Sequence, residues 1–377
     1  MMSTLKYSIN PDRSKPWNDL PLLPIDKTLH HSVDILEQLG KTKEALGRLM
    51  GRAIVIPNQG ILINTISLQE AKDSSAIENI FTTHDELYRA FSINSDEEHH
   101  NLNAKEVLHY REALWTGYHY IKKHTVFDSE YFKILYSIVK QSGEGFRKPI
   151  SKIIIRQAGT GPNTGKTVYT PPRGKGVIEE KIDNLIEFIN NDEDGIDPLI
   201  KMTIAHFQFE AIHPFSDGNG RIGRIFNIHY LTSKGMLDLP ILYLSRFILE
   251  HKSNYYSRLA GVSQRGEWKE WIIYILKAIQ ITSIITFNKI NDIIDAQETI
   301  METITRDTKI RKPKEIIEAI FIQPFTRVKH LTSSKIYSEN TARKYLNQMT
   351  TLGILERKTI SGHHYYLNKE LYRILAE

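Results

Sequence analysis

Apolar residues recur at three- and four-residue spacing along most of this chain, a period that predicts a largely helical protein. Leu29, Val33, Leu36, Leu39, Leu46 and Leu49 recur at helical spacing over 27–52, a further helical region is expected over 61–91, and helices over 101–124, 129–139 and 178–189. Asp197-Pro198 is a strong start signal, an N-cap acid followed by proline, for an apolar helix over 199–212. A second helical run leads away from Ile225 towards Gly235, and a long one is expected from Trp268 to about Glu302. Residues 1–25 are proline-rich and read as an extended arm along a surface. Period-two alternation is confined to two places. Ile153-Ile154-Ile155 and Thr167-Val168-Tyr169-Thr170 read as a β-hairpin around a Gly-rich turn. Past residue 306, helices over 314–321, 327–334 and 338–352 are followed by strands at 353–358 and 364–367.

Composition narrows the class. The chain has 377 residues, 41% hydrophobic and 25% charged, which suits a globular protein of two or three domains. It has no cysteine, which excludes disulfides and thiolate metal sites and agrees with a reducing, cytoplasmic setting. No signal peptide is visible in residues 1–20, and the apolar stretch 271–287 is interrupted by Tyr274, Lys277, Gln280 and Ser283, so no membrane partner is expected. Charge is unevenly placed: residues 306–377 hold 14 Lys+Arg and 7 Asp+Glu, leaving 49 − 14 = 35 basic and 44 − 7 = 37 acidic elsewhere. The basic surplus belongs to the C-terminal segment.

The candidate chemistry sits between the two apolar helices, at His213-Pro214-Phe215-Ser216-Asp217-Gly218-Asn219-Gly220-Arg221-Ile222-Gly223-Arg224. Glycines let backbone N–H groups converge on an anion, and a helix starting just after them adds partial positive charge. Arg221 and Arg224, three apart at the head of that helix, can face the same phosphates. Asp217 is a hard oxygen ligand for Mg²⁺, and His213 can take a proton near neutral pH. Such a set suits a nucleoside triphosphate. By contrast, Gly161-Pro162-Asn163-Thr164-Gly165-Lys166-Thr167 imitates a P-loop but has three residues between its glycines instead of four, and prolines follow it where a helix is needed.

The twelve residues from His213 resemble the signature of the Fic family, His-Pro-Phe-any-Asp/Glu-Gly-Asn-Gly-Arg-any-any-Arg, at every defined position. The resemblance implies transfer of AMP from ATP to a protein Tyr, Ser or Thr hydroxyl, including auto-modification. His213 would be general base, Asp217 would hold Mg²⁺, and Gly218, Asn219, Gly220, Arg221, Ile222, Gly223 and Arg224 would bind the nucleotide. Ser74-Ser75-Ala76-Ile77-Glu78-Asn79 resembles the family's inhibitory motif, in which a glutamate, here Glu78, pairs with the second signature arginine, here Arg224; Ser74 and Asn79 complete the motif. The hairpin strand Thr167, Val168, Tyr169 and Thr170 resembles the target-binding flap of the family. Tyr255 or Tyr256 could stack on adenine, with core packing equally open to both. The expected fold class is mainly α: a Fic-fold helical core with a small β-hairpin flap, plus a C-terminal winged-helix domain. The segments would be an N-terminal inhibitory region (1–110), the core (111–300) and the winged helix (306–377).

Residues 306–377 have two readings. Asn340, Arg343, Lys344 and Asn347 share one side of the third helix, as in a DNA reader, yet many such domains bind proteins. DNA is therefore a possible partner through this segment, and a homodimer is a further open option. Two rivals to AMP transfer stand beside it: a nucleotide-sensing DNA-binding regulator, and a Fic-fold enzyme that moves another group or removes AMP.

Overall fold

The computed structural model describes residues 9–10, 12–56, 58–92, 102–156, 164–333, 335–360 and 362–376. It is mainly helical, with two small antiparallel sheets. The described residues pack as two units. One comprises the chain up to Gly47, His109–Pro240 and Leu244–Thr282, and the other Arg48–Leu108, Ile241–Tyr243 and the chain from Ser283.

The first unit is built on two consecutive helices, Pro198–Ile212 and Asn219–Ser233. Both are buried on nearly every side, which is why their sequence lacks the polar stripe of a surface helix. Asp197 caps the first, accepting from Leu199 N at 3.0 Å, with Pro198 at its first turn. Aromatic rings fill the space around the pair. Phe132 stacks on Phe209 at 5.1 Å, Phe127 meets Phe226 edge-on at 5.5 Å, and Trp271 donates its indole N–H to the Thr203 carbonyl at 2.8 Å. The N-terminal arm lies along the same unit. Gln208 donates to the Pro21 carbonyl (2.8 Å), Lys181 to the Leu20 carbonyl (2.8 Å), and Asn184 exchanges two bonds with the Leu23 backbone. Trp17 N–H donates to the Thr170 carbonyl at 3.1 Å.

The second unit contains the helices Gln59–Ile77 and His84–Ser92 and the C-terminal segment. The helical region expected over 61–91 consists of these two helices, separated for a local reason given with the site. In the C-terminal segment the order is helix Pro313–Phe321, strand Phe325–Thr326, helix Val328–Thr332, helix Glu339–Thr351, strands Leu355–Ile360 and His363–Asn368, then helix Lys369–Ala376. The strand His363–Asn368 is central and antiparallel to both neighbours. Ser338 caps the third helix, accepting from Thr341 N. Tyr372 of the last helix packs edge-on against Tyr88 at 6.0 Å, and Lys289 donates to the Ile374 carbonyl at 2.6 Å.

The helix Trp268–Asp307 contains a window long and apolar enough to cross a membrane, and half of that window is buried inside the protein. Trp271, Ile272, Ile275, Leu276 and Ile279 of that helix are core residues, each at 0% exposure.

Candidate functional site

Histidine 213 ends the helix Pro198–Ile212 in the left-handed region, at φ 52° and ψ 60°. For a non-glycine residue that conformation costs about 1–2 kcal/mol, so it persists only where the surroundings hold it. Its N–H caps the helix on the Phe209 carbonyl at 2.9 Å. Its Nδ1 lies 3.4 Å from the Glu210 carbonyl, which can only accept, so a proton on Nδ1 would point there and leave Nε2 as the basic nitrogen.

Arg147 provides the rest of the hold, and no sequence signal marked it. It is buried, yet its guanidinium meets backbone carbonyls: Nε donates to His213 O at 2.7 Å, and Nη2 to Ile212 O at 3.2 Å and to Pro172 O. Its own N–H donates to Pro214 O at 2.8 Å. Burial pushes its pKa down from the ordinary arginine value, with Tyr169 acting the other way. One side chain thus ties the end of the incoming helix, the backbone of His213 and the base of the hairpin together.

The turn from His213 into the next helix is stapled from within. Phe215 is fully buried, stacked on Tyr136 at 4.4 Å with rings 4° from parallel. The Asn219 carboxamide accepts from Phe215 N and donates to Phe215 O, both at 2.9 Å. Gly218 precedes the helix at φ 73°, where a side chain would be strained. The helix begins at Asn219, earlier than the glycine content suggested, so Gly220, Arg221, Ile222, Gly223 and Arg224 form its first two turns. Gly223 is small because a Cβ there would lie 2.6 Å from Glu210 Oε1 and 3.3 Å from the His206 ring. Arg221 and Arg224 are 2% and 1% exposed. Two cations and a helix N-terminus are therefore buried together, a setting built for an anion.

Asp217 is the exposed carboxylate of the turn. Its Oδ2 pairs with Lys140 Nζ at 2.6 Å and its Oδ1 accepts from Gly218 N at 2.6 Å. Burial works against its ionisation, but the bonds from Lys140 and Gly218 outweigh it and hold the carboxyl below the usual range. It is thus an ionised oxygen donor already facing one cation. Among the described residues no cluster of three or more His, Asp or Glu forms a resident metal site.

Around this turn the other expected residues fall as follows. The hairpin pairs Ile155–Arg156 with Thr167–Tyr169. It is shorter than expected because Thr170 leaves the ladder: its carbonyl accepts from Trp17 and its hydroxyl donates to the Arg13 carbonyl at 2.6 Å. Tyr169 is buried and donates to the Ala211 carbonyl at 2.7 Å, so it anchors the hairpin to the incoming helix. Thr167 and Val168 are the half-exposed pair. Residues 157–163 of its turn lie outside the described residues. Tyr255 is buried, with its hydroxyl 2.9 Å from His206 Nε2, while Tyr256 is 41% exposed.

In the second unit, Ser74 is buried, Glu78 is the C-cap of Gln59–Ile77, and Asn79 has φ 65°. Asn79 N–H donates to Ala76 O at 3.0 Å and Ile80 N–H to Ser75 O at 3.1 Å. This pair of reversed bonds around a left-handed residue is a Schellman ending. It separates the two helices of the region 61–91. It also gives a physical reason for asparagine at 79, since Asn enters the left-handed region more readily than most residues.

Known proteins share this architecture. Residues 36–119 match the "Fic/DOC family N-terminal" description, residues 126–231 "Fic/DOC family", and residues 296–371 "Protein adenylyltransferase SoFic-like, C-terminal domain". Over 112 residues the chain is 28% identical to protein adenylyltransferase fic-1 of Caenorhabditis briggsae, covering 29% of this chain and 20% of that protein. Over 80 residues it is 35% identical to a probable protein adenylyltransferase of Aquifex aeolicus, covering 21% and 24%. The chain spans about a fifth to a quarter of the length of these curated relatives. Among solved structures, a Fic family protein from Desulfovibrio desulfuricans G20 superposes over 90% of this chain and 97% of its own, at TM-score 0.54 and 18% identity. Fic-1 from C. elegans superposes over 67% and 71%, at TM-score 0.52 and 16% identity. At such identities the likeness is one of fold.

Proposed function

The chain belongs to the Fic/DOC family, and from that premise we propose that it is a protein adenylyltransferase, moving AMP from ATP to a Tyr, Ser or Thr hydroxyl of a protein, itself included. The observation that carries the reading is His213, held at the end of one helix in a left-handed conformation directly before the cationic start of the next. A nucleotide sensor needs the phosphate site but has no use for a base fixed in this way.

In the proposed reaction His213 Nε2 takes the proton of the target hydroxyl as its oxygen bonds to the α-phosphorus. The bond from that phosphorus to the bridging oxygen breaks, and pyrophosphate leaves. Backbone N–H groups from Gly218 onward stabilise charge on the α-phosphate, and Arg221 and Arg224 hold the β- and γ-phosphates. Asp217 fits Mg²⁺ as an ionised oxygen donor, with Lys140 sharing or yielding its place. Bound there, Mg²⁺ would neutralise phosphate charge. Tyr256, with its exposed ring, is the better placed of the two tyrosines to stack on adenine. Thr167 and Val168 pair with the target backbone by strand addition.

Glu78 restrains the reaction. A carboxylate on Arg224 takes the place of a phosphate and repels the γ-phosphate as a like charge. The test is the intact mass of the purified chain, wild type and Glu78→Gly, after incubation with Mg²⁺ and ATP. An added AMP supports the reading. An added phosphate makes the protein a kinase, no change in either protein favours the sensor, and loss of a pre-installed AMP favours removal.

A further inference from the structure

The C-terminal segment carries chemistry that AMP transfer does not use. A groove of about 320 Å³ opens between the helices Val328–Thr332 and Glu339–Thr351 and the hairpin of the last two strands. Arg327 and Lys329 line one wall, Arg343 and Asn347 the second, Arg357 and His363 the third, and among its lining residues there is no carboxylate. Arg327 lies over the Tyr365 ring at 5.3 Å, and Tyr366 donates its hydroxyl to Asn347 Oδ1 at 2.9 Å, which aims the Asn347 amide. Glu339 pairs with the lining Arg343 at 2.6 Å on an exposed helix turn, and such pairs are worth about 0–1 kcal/mol.

We propose that this groove and the exposed side of Glu339–Thr351 seat duplex DNA. Charge is the first reason: the segment has a basic surplus of seven, 14 against 7, while the rest of the chain is net acidic. Shape is the second. Asn340, Arg343, Lys344 and Asn347 are exposed along one side of the helix, opposite the buried Ala342, Tyr345, Leu346 and Met349. Its 13 residues span about 20 Å, and a helix of ordinary width enters the roughly 12 Å major groove of B-DNA. The major groove of A-form RNA is too deep and narrow for it. An acidic peptide is the other anion to consider, but peptide grooves rely on apolar anchoring, and here Val328 is the aliphatic lining residue. Arg343, Lys329, Arg327 and Arg357 contact phosphates, and Asn347 and His363 reach base edges.

The test is fluorescence anisotropy of a labelled 20-base-pair duplex with the full chain, titrated from 50 to 200 mM KCl. Four phosphate contacts predict a log–log salt slope of about −3 to −4, a loss of roughly 100-fold across that range. Arg343→Ala and Arg357→Ala should each weaken binding and flatten the slope by about 1, whereas Asn347→Ala weakens binding at unchanged slope. Lys41→Ala, an exposed change in the other unit, should do neither. The four substituted side chains are all exposed, so the variants should fold, and unchanged circular dichroism verifies it. No binding at 50 mM salt overturns the proposal. So does binding indifferent to both arginine variants, or tighter binding to duplex RNA or a polyglutamate peptide. None of these outcomes bears on AMP transfer, which is read separately.

Discussion

Replacing Arg147 by Met keeps most of the volume and removes every side-chain donor. The carbonyls of Pro172, Ile212 and His213 then lose their partner. Hydrogen bonds to a charged group are worth about 1.5–3 kcal/mol each, or about 5–9 kcal/mol gross for three. The variant recovers the cost of burying the guanidinium, several kcal/mol. A net loss of about 2–4 kcal/mol remains, which denaturant unfolding followed by circular dichroism would measure. The kinetic consequence is more specific. Without Arg147 the His213 carbonyl is free to leave the left-handed geometry, and a misplacement of about 1 Å costs on the order of 10²-fold in rate. Auto-modification should therefore fall about 10–100-fold in kcat, while ATP affinity stays within a few-fold, because Arg147 makes no contact in the cationic helix start. Arg147→Lys, which keeps the charge but not the fork, should recover part of both. Stability within about 0.5 kcal/mol of wild type together with an unchanged rate would refute the clamp. So would a rate loss matched by an equal loss of ATP affinity, since positioning would then not be the cause.

Three further outcomes follow from the geometry. Burial, helped for His206 by Arg224, pushes His206 down to about 3, and burial pushes His229 down to about 4 despite its bond to the Leu114 carbonyl. The unfolded chain binds these protons near 6.5, so stability is full above that pH and is lost below it, by about 2 kcal/mol per histidine at pH 5; equal denaturation midpoints at pH 7.5 and 5 would contradict this. Gly223→Ala gains about 1 kcal/mol of helix propensity but drives a methyl into Glu210 and the His206 ring, so a net destabilisation of about 1–2 kcal/mol is expected, and a raised melting temperature would show the close packing to be unimportant. Glu78→Gly should raise auto-modification by roughly 5–150-fold if its carboxylate restrains Arg224, and equal rates at saturating Mg²⁺-ATP would remove Glu78 from the mechanism.

What the sequence made legible was local. Asp197-Pro198 marked the incoming helix, because capping there is settled within a few residues. Three of the C-terminal helices and the hairpin were legible in the sequence, but the last helix Lys369–Ala376 and the strand Phe325–Thr326 were not, since two residues become a strand only by pairing with Leu367 and Tyr366. Gly220 and Gly223 both lie in the helix, and the demand for a small residue at Gly223 comes from a neighbouring helix. Arg147 and Lys140 were invisible, each a lone cation far in sequence from the turn it serves. Tyr255 and Tyr256 could not be told apart by adjacency, and only the bond to His206 shows which of them is core.

The central claim is that His213 drives transfer of the α-phosphoryl group as AMP. Its most direct test is incubation of Glu78→Gly and of Glu78→Gly/His213→Ala with ATP labelled at either the α- or the γ-phosphate, followed by measurement of label bound to protein. The account predicts α-label on the first variant, no γ-label on either, and a drop of about 10²–10⁴-fold in the second, with nucleotide binding retained by both. Protein-bound γ-label, or α-label undiminished by the loss of His213, would contradict it.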